Sequence, residues 1–204
     1  MTILRVIWLL MFVSFSVRAE DVLVPCEYSF HSSRIRGLIE RGIDGKAVYS
    51  FSVVPGDGSP ERGWLLYESG ERWVIRSVRF RTAVWGNDEW SLPREEGAGW
   101  IETQLKVREL EVHQELVELL AKAFRRALEL RVPVPEGIYF SGGSKVEMSR
   151  NGECVQFFAV ESGGRLASFW RALENLASAP WAITTWGNRR KIASSEELLM
   201  DFVQ

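Results

Sequence analysis

Histidine and cysteine are nearly missing from this 204-residue chain, with two of each. No His-Glu-x-x-His run, Cys-x-x-Cys pair or acidic calcium loop occurs in it, so metal binding has no support and no cofactor is expected. Glycine-rich phosphate loops and the Gly-x-Ser-x-Gly turn of serine hydrolases are absent as well. Ser141-Gly142-Gly143-Ser144-Lys145 and Glu161-Ser162-Gly163-Gly164 read as glycine-rich turns rather than as settings for a nucleophile. An excess of positive charge is also lacking. The 25 Lys and Arg stand against 27 Asp and Glu, which argues against a nucleic-acid partner. Apolar runs are short, and a polytopic membrane protein is excluded. Hydrophobic residues still make up 46% of the chain, too many for disorder and enough for a sizeable core.

What is present begins with an address. Residues 6–17 are an apolar run broken only by Ser14 and Ser16, preceded by Arg5 and followed by Val17-Arg18-Ala19. This is the layout of a secretory signal peptide cut before Glu20. A spanning helix needs about 20 apolar residues, more than this run holds. The expectation is a signal peptide over 1–19 and a single α+β domain over 20–204. The product would be soluble, periplasmic or secreted, and without a stable membrane anchor after cleavage. Losing Arg5 and Arg18 would leave 23 basic against 27 acidic residues. No asparagine begins an Asn-x-Ser/Thr sequon, and Arg far outnumbers Lys, which suits a bacterial source. Two cysteines in an exported chain pair, so a Cys26–Cys154 disulfide is expected.

Hydrophobic periodicity supplies the elements. Val22, Val24, Cys26, Tyr28 and Phe30 alternate as a strand, with Pro25 marking a sheet edge. Residues 33–43 are ambiguous: Ile35, Leu38 and Ile39 have helical spacing, but a strand or irregular piece is favoured ahead of a firm strand over 46–54. A hairpin around Ser69-Gly70 is expected to pair Leu66 with Trp73, and a bulge near Arg76-Ser77 to reconcile a change of apolar parity. A further strand is read over 100–107. The clearest element is an amphipathic helix over about 112–131, with Leu116, Val117, Leu120, Ala123, Phe124, Ala127 and Leu128 on one face. Asn151-Gly152 signals a hairpin pairing Met148 with Val155 and Val146 with Phe157. A second helix spans about 164–177, a last strand 181–186, and a short C-terminal helix starts at Ser194 or Ser195. The class is α+β with a mainly antiparallel sheet, because crossover helices are too few for a parallel one.

No catalytic set emerges, so a binding role is expected over catalysis. His31 is read on a polar strand face and His113 at the start of the long helix, both as solvent-facing or capping. Tryptophan is the unusual feature. Trp85 and Trp90 bracket Gly86-Asn87-Asp88-Glu89, with Glu95, Glu96 and Trp100 beyond, and Arg79 and Arg81 precede them. Aromatic and arginine side chains are enriched at interface hot spots. The candidate binding residues are therefore Trp85, Asp88, Glu89, Trp90, Arg79 and Arg81. The expected partner is a protein in the cell envelope or outside the cell, as for inhibitors and immunity proteins. Stacked Trp rings beside paired acids also suit a glycan-binding module or a glycosidase built on residues 85–100. A structural envelope protein is the third reading.

Overall fold

The computed structural model describes residues 23–26, 30–44, 47–82, 105–132, 144–159 and 165–204. The strands are β1 (Val24–Pro25), β2 (Ala47–Val54), β3 (Arg62–Ser69), β4 (Arg72–Phe80), β5 (Leu105–Val112), β6 (Ser144–Arg150) and β7 (Glu153–Ala159). They form one antiparallel sheet in the order β1-β7-β6-β2-β3-β4-β5. The helices are α1 (Phe30–Glu40), α2 (Gln114–Glu129), α3 (Arg165–Ser178) and α4 (Thr185–Val203), with a 3-10 turn at Ala179–Trp181 between the last two. The class is α+β, as the patterning indicates.

One face of the sheet carries the large core. Tyr49, Phe51, Val53, Trp64, Leu66, Ile75, Val146, Met148, Val155 and Phe157 point into it and meet apolar stripes of α2, α3 and α4. The α2 stripe is the expected one, with Leu116, Val117, Leu120, Ala123, Phe124 and Ala127 all buried. Rings fill the middle: Phe51 stacks on Trp64 at 5.5 Å and Phe169 on Phe202 at 4.4 Å. The Trp64 indole donates to the Leu173 carbonyl at 3.0 Å, fixing α3 to β3. The opposite face holds a smaller cluster, in which Ile35 and Ile39 of α1 cover Leu65, Tyr67, Val78 and Phe80.

Hairpin chemistry sets the registers. Asn151 and Gly152 both adopt positive φ, 49° and 87°, as a type I′ turn requires. Met148 then faces Val155 and Val146 faces Phe157, as expected. The Cys26–Cys154 disulfide, with its Cα atoms 5.5 Å apart, ties the chain beside β1 to β7.

Several expectations need correction. Residues 30–40 form a helix, so Phe30 and His31 do not continue a strand and β1 is only two residues long. The i, i+3, i+4 spacing of Ile35, Leu38 and Ile39 prevails because a second apolar sheet face waits for it. The β3–β4 turn is Gly70-Glu71, not Ser69-Gly70, and Leu66 pairs with Ile75 rather than Trp73. Gly70 takes φ 63° at the first central position, the place a II′-type turn assigns to glycine. β4 keeps continuous register with both neighbours, so there is no bulge at Arg76-Ser77. Its parity change arises because both sheet faces are covered, and the register shift lies instead in β2 between Ala47 and Tyr49. Of the strand read over 100–107, residues 105–107 are strand, in an element that runs on to Val112, and residues 100–104 lie outside the described residues. No strand forms over 181–186, and the C-terminal helix is not short: α4 has 19 residues and is capped by Thr184, whose Oγ1 accepts from the Gly187 N–H at 3.0 Å.

Candidate functional site

β5 is the last strand of the sheet among the described residues. On the helix-covered face its end and the start of α2 stand apart from α4, leaving a groove of 640 Å³. Thr185, Asn188, Arg189, Ile192, Ala193 and Glu196 recur at helical spacing and present one stripe of α4 to it. The facing wall is Leu110, Glu111, Val112 and His113. Alternation along β5 turns Leu110 and Val112 inward, so Leu110, Val112, Ile192 and Ala193 supply an apolar lining between charged margins.

His113 closes one end. It occupies the N-cap position of α2 with extended backbone but makes no capping hydrogen bond. Its Nδ1 lies 3.0 Å from Glu115 Oε2 and its Nε2 3.0 Å from Glu196 Oε1. Both ring nitrogens therefore face a carboxylate oxygen. The Glu115 carboxyl is held below its usual range, first by its own backbone N–H and then by the His113 ring. Arg189 brings a positive charge to the groove from an exposed position on α4.

A second surface adjoins the groove where the 3-10 turn passes into α4. The Trp181 indole donates to Ser77 Oγ at 2.6 Å, and Ser77 donates to the Ala177 carbonyl at 2.6 Å, which pins the turn to β4. The guanidinium carbons of Arg79 and Arg108 lie 4.6 and 5.0 Å from the Trp181 ring centre. Partial burial and the like charges of Arg62 and Arg108 lower the Arg79 pKa, against the pull of Glu174. Beyond the turn Trp186 is 68% exposed, with Arg190 over its ring at 5.3 Å.

Trp85, Asp88, Glu89 and Trp90 lie outside the described residues, as do Glu95, Glu96 and Trp100, and with them the glycan reading of that segment. Arg79 is exposed at the end of β4 and Arg81 is exposed just past it. β4 is an interior strand between β3 and β5. The His113–Glu196 contact and the exposed Trp186 escape a reading of local sequence. Trp186 falls at the end of a stretch, Trp181 to Trp186, in which the alternation of Trp181 and Ile183 with Ala182 and Thr184 mimics a strand. The signal that could have found it is the basic run Arg189-Arg190-Lys191 behind a Thr-x-x-Gly helix start. No known protein family, characterised protein or solved structure matches the chain.

Proposed function

We propose that this chain is an exported binding protein that receives an apolar segment of a protein partner in the groove between β5 and α4. The observation that carries this reading is the groove itself: an apolar lining of Leu110, Val112, Ile192 and Ala193, bounded by Arg189 on α4 and by the His113–Glu196 pair. An apolar floor with a few convergent polar groups is the usual form of a binding site. Export is supported by the N-terminal pattern and by the disulfide, a bond that persists in oxidising compartments. Among the described residues no helix is long and apolar enough to cross a membrane. The partner segment would pack on Ile192 and set an acidic group against Arg189, in the manner of an inhibitor or immunity protein seated on its target.

The test is a photo-crosslinking residue at Ala193, compared with the same residue at the exposed Lys122 of α2. In cells exporting the protein, position 193 should trap one discrete partner, and Ile192→Asp should abolish that adduct. Adducts at 193 that match those at 122 would refute the reading.

A further inference from the structure

Ile183 and Trp186 make a projecting apolar tip at the corner between the 3-10 turn and α4. Ile183 is 101% exposed, so no neighbouring group covers it, and Trp186 is the most exposed described tryptophan. The corner is braced despite this exposure. Thr184 caps α4 through the Gly187 N–H, and Trp181 is held to Ser77 on the other side. Apolar side chains that project from a braced corner are shaped to enter another phase rather than to receive a ligand.

Positive charge predominates around the tip, with Glu174 engaged by Arg62 and Glu196 by His113. Arg190 lies over the Trp186 ring, and Arg79 and Arg108 lie against Trp181, two residues before Ile183. Arg189 is exposed one helical turn beyond Trp186. Between Glu174 and Glu196 the chain has no acidic residue, although acids outnumber bases over the whole sequence. Arg79 and Arg108 meet on Trp181, whereas Arg189 and Arg190 stand on α4, so the four cations are spread along the corner rather than gathered at one point. Such a spread matches a diffuse negative surface better than a single bound anion. Tryptophan rings favour the boundary between hydrocarbon and water, and arginine keeps its head in the polar layer while its stem lies along apolar groups.

We propose that this corner docks the protein on an anionic lipid surface. Ile183 and Trp186 enter at headgroup depth, and Arg79, Arg108, Arg189 and Arg190 pair with lipid phosphates around them. The tip lies beside the groove proposed for the protein partner and shares Arg189 with it, whereas Ile183, Trp186 and Arg190 do not line that groove: a lipid-bound protein would present the groove along the membrane.

The experiment is co-sedimentation of the exported, disulfide-bonded protein with vesicles of phosphatidylglycerol mixed into phosphatidylcholine, and with vesicles of phosphatidylcholine alone. The expected result is binding to the mixed vesicles that falls as salt is added. Trp186→Ala should weaken it about tenfold, and the pair Arg189→Glu with Arg190→Glu by at least as much. All of these side chains are exposed, and an unchanged thermal transition verifies that each variant is folded. Brominated lipid gives a second readout: it should quench the parent's tryptophan emission more than that of Trp186→Phe. Equal quenching of the two, equal vesicle binding by parent and variants, or no binding to the mixed vesicles would overturn the proposal. So would binding to soluble polyglutamate without binding to vesicles, which would assign the tip to an acidic protein.

Discussion

The two faces of the sheet are held by different means. On the face covered by α2, α3 and α4, every strand from β7 to β4 contributes large apolar side chains, and rings from strands and helices interleave. On the other face only β3 and β4, with α1 above them, keep that character. Toward β7 the same face turns polar: Ser50 and Ser149 share a hydrogen bond at 2.6 Å, and Lys145 pairs with the buried Glu147 at 2.7 Å. Gln156 and the disulfide-bonded Cys154 lie on that face as well. Burial of apolar area holds the first face without demanding exact partners, whereas buried polar groups must each find one. The lesson is that one sheet can be stabilised by bulk hydrophobicity on one side and by specific pairing plus a covalent tie on the other.

The comparison can be broken most forcefully at the covalent tie. Replacing Cys26 and Cys154 together by Ser opens a loop spanning 128 residues. Loop-closure entropy sets the loss at about 5 kcal/mol, measured by chemical denaturation of oxidised parent and double variant. The next largest effect belongs to the helix-covered face. Trp64→Ala removes a fully buried ring, its stack on Phe51 and its bond to Leu173, and should cost about 4 kcal/mol with no change of topology. A smaller effect tests how closely α1 sits on the other face. A Cβ at Gly63 would collide with the Phe51 carbonyl and with Ile39 of α1. Gly63→Ala should therefore cost roughly 2 kcal/mol, read in the same denaturation experiment.

The smallest effect concerns pH, at the groove margin. The Glu115 carboxyl has a lowered pKa in the folded protein. A lowered carboxylate pKa contributes stability that is present above the unfolded value and is lost as pH falls through the folded one. Glu115→Gln should lower stability slightly at neutral pH, and the difference from the parent should disappear as pH falls through the folded pKa, making the acid limb of the profile slightly shallower. Thermal melts of parent and variant across that range check it. An unchanged acid slope would mean that neither the backbone N–H nor the His113 contact of Glu115 contributes to folding.

Legibility in the sequence followed how local each signal was. The Asn151-Gly152 hairpin was readable to the residue because a I′ turn needs two positive φ values in succession, and few residue pairs accept them. The α2 face was readable because its period is uninterrupted over four turns. The stretch 33–43 was misread because its short apolar spacing does not say which sheet face awaits it. The start of α4 was misread because Gly187 and Asn188 are poor helix formers. Packing of Leu199 and Phe202 on the core, together with the Thr184 cap, overrides that preference. Of the candidate site, the arginines Arg79 and Arg81 were visible in the sequence. The pairing of His113 with Glu196 joins residues 83 positions apart and left no local trace.

By itself the sequence determined the α+β class, the pairing of the two cysteines, the Asn151-Gly152 hairpin register and the apolar stripe of the long helix. Each depends on contacts within a few residues, on a fixed period, or on there being only two thiols to join. Tertiary structure alone decided that the sheet has two covered faces, that β5 and α4 frame a groove, and that Ile183 and Trp186 project from a braced corner. Those features depend on what lies across from a residue in space. A side chain that is buried in one packing is exposed in another, and the linear pattern of polar and apolar residues is the same for both.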